Sequence, residues 1–185
     1  MNKSMLRVEL HVHTRYSKDS LIRISRLLDH CAKMSIDRIA ITDHNQIEGA
    51  LEAKQLAPDR VIVGEEIATT QGELLGYFMT EWVPPGLEPL NAIERLKAQG
   101  ALISVSHPFD TTRSQHWSVD NLEAIVPYID AIETFNARCF NNEPNQKAAI
   151  FARQKELMKT VGSDAHSLWE VGRATLQMSP LNNAA

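Results

Sequence analysis

Short β-rich runs alternate with segments of helical period along this chain, and that order is its strongest constraint on folding. Residues 6–10 (LRVEL), 38–42 (RIAIT) and 61–65 (VIVGE) are the first three such runs, with the helical period between them. After the first run, Ile24, Leu27, Leu28, Cys31 and Met34 recur three and four positions apart, which gathers them on one helical face. Arg23, Arg26, Asp29 and Lys33 fall largely opposite, so one face packs and the other meets water. Further β-rich runs at 74–79, 101–105, 129–135 and 160–162 bring the predicted strands to seven. Helical segments near 89–99, 118–126 and 145–159 separate most of them. Pro84, Pro85 and Gly86 mark a loop, Pro89 suits a first helical turn, and Gly100 suits a C-terminal stop.

Strand–helix alternation calls for a parallel sheet. An open doubly wound sheet usually carries a glycine-rich phosphate loop after its first strand, and neither GxGxxG nor GxxxxGK[ST] occurs there. The expected fold is therefore an α/β barrel of seven strands, closed or nearly so. A length of 185 residues, 43% of them hydrophobic, suits one domain over 1–185.

Composition excludes several classes of function. A net charge of −4, from 19 basic and 23 acidic side chains, gives no broad attraction to a polyanion. No basic stripe interleaved with aromatics is visible either, so a long nucleic acid is not an expected partner. Cys31 and Cys139 form neither a CxxC nor a disulfide framework, and no segment resembles a signal peptide. No apolar run approaches the roughly 20 residues that cross a bilayer. The expectation is a cytoplasmic protein without a membrane partner.

Against that background the placement of metal-ligand residue types is informative. His11 and His13 follow the first strand, His44 the second, Glu66 the third and His107 the fifth; Glu133 and Asn136 close the sixth, and Asp164 with His166 follow the seventh. The C-terminal ends of parallel barrel strands converge on one face, so these residues would meet there. Taken singly each has a bland explanation: Asp43 and Asn45 are good helix caps, His107-Pro108 makes a turn, and an isolated His-x-His is often only packed. Together they would require independent coincidences at nearly every strand end. Five of the seven histidines sit at such ends, while His30 and His116 lie in a helix and a polar loop. Imidazole and carboxylate without thiolate suit zinc, manganese, iron or magnesium, and more than four ligands imply more than one ion.

Read in order, Glu9-Leu10-His11-Val12-His13-Thr14, Ile41-Thr42-Asp43-His44-Asn45, Ser106-His107-Pro108 and Gly162-Ser163-Asp164-Ala165-His166 resemble the motifs of the polymerase and histidinol phosphatase (PHP) family of metal-dependent phosphoesterases. The resemblance runs over nearly the whole chain. It implies a distorted seven-stranded β/α barrel with two or three divalent metals. By matching position, His11, His13, Glu66 and Asp164 would hold the first metal, Glu66 and His107 the second, and Asp19, His44 and His166 a third. The family places its glutamate two residues after the glycine, here Gly64, which selects Glu66 and leaves Glu65, like Asp43, as a neighbour. Two departures stand out. Relatives supply another histidine to the second metal near the end of the sixth strand, where 128–136 has none, so Glu133 or Asn136 is the candidate substitute. The chain also ends soon after Gly172-Arg173, where relatives continue, which predicts a barrel open on that side or completed by a partner.

The expected reaction is hydrolysis of a small phosphomonoester, a nucleotide or a short oligonucleotide by water activated between cations. Asp164 and His166 are the candidate proton carriers. Arg15, Arg138 and Arg173 are the candidate phosphate ligands, because guanidinium binds phosphate bidentately. An amidohydrolase-like enzyme acting on C–N bonds would use the same ligands, usually with a lysine at a strand end, and no lysine follows a predicted strand. A non-catalytic metal-binding module of the same fold is the third reading, against which the complete core ligand set argues.

Overall fold

The computed structural model describes residues 5–179. Strands β1 (Leu6–Glu9), β2 (Arg38–Ile41), β3 (Val61–Ala68), β4 (Glu73–Tyr77), β5 (Leu102–Val105), β6 (Ala131–Asn136), β7 (Met158–Gly162) and β8 (Leu176–Met178) form one eight-stranded sheet, ordered β7-β6-β5-β4-β3-β2-β1-β8. Helices α1 (Ile24–Lys33), α2 (Glu48–Leu56), α3 (Pro89–Ala98), α4 (Val119–Ile125) and α5 (Glu143–Gln154) lie between strands. The sheet curls into a nearly closed barrel. Past the named strands Val12 bridges Ala165, with the His13 N–H donating to the Ala165 carbonyl and the Asp164 N–H to the His11 carbonyl. That seam joins β1 to β7 at the mouth.

Local sequence explains most of the elements. Ile24, Leu27 and Cys31 form the buried face of α1. Pro89 occupies the first turn of α3, and Gly100 takes φ +73° just beyond it, a conformation that costs glycine little. The Ser118 side chain caps α4 by accepting from the Asn121 N–H. Nearly all of β3 is buried, as expected of a strand covered on both faces. Helix α5 ends at Gln154, short of the predicted 159, because β7 already begins at Met158.

Two features differ from the expected parallel barrel. Strand β4 runs antiparallel to both β3 and β5. Only the residues 69–72 join β3 to β4, too few for a parallel crossover, and the Thr69 side chain and N–H close that turn onto the Gly72 carbonyl. An eighth strand also follows Arg173: β8 pairs antiparallel with β1, Leu6 opposite Met178. No pairing joins β7 to β8 among the described residues, so the barrel stays open at the end away from the mouth. There Leu10, Ile62, Tyr77, Phe78, Leu176 and Met178 line an apolar cavity of about 290 Å³. Among the described residues, no helix is long and apolar enough to cross a membrane.

Candidate metal centre

The mouth collects the histidines and carboxylates that the strand ends carry. His11, His13, Glu66 and Asp164 each offer an atom within 4.8 Å of the others, and all four are buried. His11 Nε2 and His13 Nε2 lie 3.1 Å apart. Glu66 Oε2 is 3.3 Å from each of them, and Asp164 Oδ1 is 3.2 Å from His13 Nε2. On one side His107 Nε2 approaches Glu66 Oε1 at 3.0 Å. On the other, His44 Nδ1 is 3.1 Å from Glu66 Oε2, and His166 Nε2 is 3.1 Å from Asp19 Oδ2. His44 Nε2 lies 3.6 Å from the same Asp19 oxygen, and His13, His44 and His166 also converge within 4.8 Å. All eight residues read from the sequence as metal ligands thus meet in one place, with Glu66 between the groups.

The donor set fits divalent cations. Glu66 Oε2, Asp164 Oδ1 and His166 Nε2 are buried and accept no hydrogen bond, a costly state for polar atoms unless something else satisfies them. His166 Nδ1 sits 2.8 Å from the Asp164 carbonyl; the tautomer that donates there leaves the Nε2 lone pair free. Charge tells the same story. Burial would push the Glu66 and Asp164 carboxyls up, yet the neighbouring imidazoles, His11 foremost, hold both well below the usual carboxylate range. Burial opposes a charge on His44 as well, yet Glu66 raises its pKa to about 9. Without a cation the carboxylates favour protons on His11, His44 and His107, whereas burial and the neighbouring His13 push His166 down to about 4.

Backbone strain accompanies the ligands. His107 takes φ +23° and Asp164 φ +52°, conformations that L residues rarely adopt and that cluster at functional sites. Gly162 lets β7 pass close to β1, since a Cβ there would lie 2.3 Å from His11 Cβ and 2.5 Å from Glu133 Oε1.

The second tier divides into supports and bystanders. Glu133 Oε1 is 3.0 Å from His11 Nδ1, and its Oε2 accepts from the His107 N–H and from Asn136 Nδ2. It orients two ligands and is not turned into the cluster as a ligand itself. Asn136 Nδ2 also reaches Asp164 Oδ2 at 3.3 Å. Asp43 accepts from the Thr14 N–H, the Thr14 hydroxyl and the Ser17 hydroxyl, so it fixes the loop after β1; α2 begins only at Glu48, and Asp43 does not cap it. Glu65 turns away and accepts from the Val83 N–H, and burial pushes its carboxyl up to about 8.

Of the three arginines read from the sequence, one reaches the cluster. Arg138 Nη1 lies against His166 Nδ1. Arg15 is half exposed and pairs with Glu52, while Arg173 lies over the Trp169 ring at 3.9 Å. The residues that sequence reasoning missed are Arg113 and Glu73. Arg113, in the loop after β5, donates to Asp164 Oδ2 at 2.6 Å and is steadied by Asp110 at 3.3 Å. Glu73 places Oε2 3.5 Å from His107 Nε2. No motif marked Arg113, but Glu73 had a legible signal: in an antiparallel strand the first residue, not the last, stands at the mouth. Beside the cluster, Tyr16, Lys18, Asp19, His44, Asn45 and Gln46 line a cavity of about 520 Å³, a space for a small ligand.

The chain is similar to several known proteins. An uncharacterized protein of Methanocaldococcus jannaschii is 40% identical over 180 residues, covering 96% of this chain and 72% of that protein. In fold, the chain superposes on a protein from Bifidobacterium adolescentis proposed as a metal-dependent phosphoesterase, with TM-score 0.71 and 16% identity over 86% of this chain and 87% of that one. It superposes equally, at TM-score 0.71 and 16% identity over 94% and 92%, on an amidohydrolase from Chromobacterium violaceum bound to sulfate without metal. The PHP domain model matches residues 9–110 and the PHP-associated model residues 142–184, and the chain belongs to the PHP domain family.

Proposed function

We propose that the chain is a metal-dependent phosphoesterase acting on a small phosphomonoester, a nucleotide or a short oligonucleotide. The observation that carries this reading is the convergence of buried, unpartnered carboxylate and imidazole atoms beside two guanidinium groups at one barrel mouth. His11, His13, Glu66 and Asp164 would hold a first divalent cation, Glu66 and His107 a second, and Asp19, His44 and His166 a third. Such cations, when bound, lower the pKa of water and polarise a phosphoryl oxygen.

The chain's own residues supply orientation and charge. Glu133 and Asn136 fix the imidazole and carboxylate directions. Arg113 and Arg138 offer donors that offset the charge growing on non-bridging phosphoryl oxygens during in-line attack. Asp164, which Arg113 contacts, and His166, which Arg138 contacts, are the groups we assign to proton transfer. The same donors would serve C–N hydrolysis, and the amidohydrolase of similar fold keeps that chemistry in view. Against it, among the described residues no lysine stands within the ligand groups; Lys18 lines only the cavity beside them, and Lys159 faces the opposite end of the barrel.

The test is turnover of an aryl phosphate by purified protein with Mn²⁺ or Zn²⁺, followed by a panel of phosphomonoesters, phosphodiesters and amides. His11→Ala and His107→Ala should each abolish phosphate-ester hydrolysis. Turnover that survives both substitutions, or that is confined to amides, rejects the proposal.

A further inference from the structure

We infer that the apolar opening at the end of the barrel away from the mouth is where two copies of this chain associate, face to face about a two-fold axis. The opening lies between β7 and β8, the two outer strands of the sheet. Each pairs on one side only, β7 with β6 and β8 with β1, and among the described residues their other edges have no strand partner. An unpaired strand edge is a ready template for another chain.

The side chains at the opening are of the kind that association buries. Met158 and Leu102 line the cavity there and are 74% and 40% exposed. Leu10, Tyr77 and Ile103 line it too and are buried, so exposed apolar atoms at the rim lead into an apolar interior. Such patches, when rimmed by polar groups, mark association sites, and homodimer interfaces are more apolar than the rest of the surface.

Charge identifies the partner. Of the residues that line the cavity only Asp130 and Lys159 are charged, and both are exposed. Neither takes part in an ion pair among the described residues. Asp130 is anchored, since its Oδ2 accepts from the Ile103 N–H at 2.8 Å. The β6–β7 register sets Ala131 opposite Met158 and Ile132 opposite Lys159, so acid and base stand at a fixed offset on neighbouring strands. An anionic lipid surface or a polyanion would call for several bases around the opening, and a basic peptide for several acids. One acid and one base complement a surface that carries the same pair. A two-fold axis sets each Lys159 against the partner's Asp130, the reciprocal contact of an isologous dimer. Charges so placed fix the register and disfavour other partners. The metal centre, at the other end of the barrel, stays accessible in both copies.

Sedimentation equilibrium of the full chain between about 1 and 100 μM tests this. Wild type should be a dimer with Kd in the micromolar range or tighter, of order −8 kcal/mol or more favourable. Met158→Asp and Lys159→Glu, both at exposed positions, should each weaken association about 100-fold or more, as should Asp130→Lys. Mixing the Lys159→Glu and Asp130→Lys chains should yield a heterodimer, because both reciprocal contacts then pair opposite charges again. Asp130→Lys gives up an acceptor for the Ile103 N–H; if it does not fold, Met158→Asp and Lys159→Glu decide the matter. Wild type that stays monomeric at about 100 μM overturns the inference. So does a dimer that Met158→Asp and Lys159→Glu both leave intact, since its contact would lie elsewhere.

Discussion

Arg113 donates to Asp164 Oδ2 at 2.6 Å, while the other oxygen, Oδ1, faces His13 Nε2 at 3.2 Å and accepts no hydrogen bond. One carboxylate is thus split between a fixed guanidinium and an open position. The guanidinium sets the plane of the carboxyl, and the plane decides where the free lone pairs point. Charge reinforces geometry: burial disfavours a charged Arg113, yet Asp164 and Glu66 keep it firmly protonated. Arg113→Ala should weaken metal binding about 10–100-fold, the usual cost of losing a group that orients a ligand. Arg113→Lys, a point charge without the planar fork, should recover only part of it. Calorimetric titration of both variants checks this, and equal affinities in wild type and Arg113→Ala would show that Asp164 needs no such support.

Glu133 does for two histidines what Arg113 does for Asp164. One oxygen meets His11 Nδ1 and the other holds the His107 N–H, so the first and second positions share one support. Glu133→Gln keeps the volume but replaces an acceptor oxygen with a donor, so either the His107 N–H bond breaks or His11 switches tautomer and carries its proton on Nε2, the atom that faces the cluster. Metal affinity should drop about 10–100-fold while the fold survives. Circular dichroism together with bound-metal analysis separates the outcomes; a variant that binds metal like wild type refutes the role.

These supports were only partly readable from sequence, and the reason is topological. His11, His13, His44, Glu66, His107, Asp164 and His166 declared themselves because parallel strands bring their C-terminal ends to one face. Glu73 escaped because that rule assumes one strand direction, and the short 69–72 turn reverses it. Arg113 sits in an irregular loop, where no period links position to direction. Arg15 and Arg173 lie near ligands in sequence, yet Glu52 and the Trp169 ring claim them. Strand β8 is only three residues long, too short for an alternation pattern to register.

Glycine at 162 is a steric requirement. A methyl group there would press on His11 Cβ and on Glu133 Oε1, both well inside contact distance. His11 belongs to the seam that closes the barrel, and Glu133 is held by His11, the His107 N–H and Asn136, so both have little room to yield. Gly162→Ala should destabilise the fold by about 1–3 kcal/mol, the usual range for overpacking. Thermal unfolding of the metal-free chain reads this directly, and an unchanged midpoint would mean the seam relaxes freely.

The cysteines offer a pH-dependent control. Burial pushes both the Cys31 and the Cys139 thiol up to about 12. Only the thiolate is nucleophilic, so both should stay protonated and resist alkylation in the native state throughout pH 7–9. Reactivity should emerge on unfolding, when the thiol pKa falls to about 8.5. Rapid labelling of native protein at pH 8, followed by mass spectrometry, would contradict this.

Metal removal should cost stability as well as activity, because it leaves buried carboxylate and imidazole atoms without partners. Glu66 and Asp164 remain ionised and fully buried, and without cations the Arg113 guanidinium and protons on neighbouring imidazoles offset them. Metal that binds only the folded state adds about 2.7 kcal/mol when present at about 100 times its Kd. For a chain of this size each kcal/mol moves Tm by about 2–4 °C, so chelation should lower Tm by about 5–11 °C. Glu66 is shared among the proposed positions, so Glu66→Gln should remove most of the metal-dependent shift. In the metal-free state it removes a carboxylate that the surrounding imidazoles hold ionised, so that variant's own Tm should lie at or below that of chelated wild type. Differential scanning calorimetry of both proteins, with and without Mn²⁺, supplies the four values needed. If Glu66→Gln keeps the full shift, Glu66 is not the bridge between positions that its contacts with His11, His13, His44 and His107 describe.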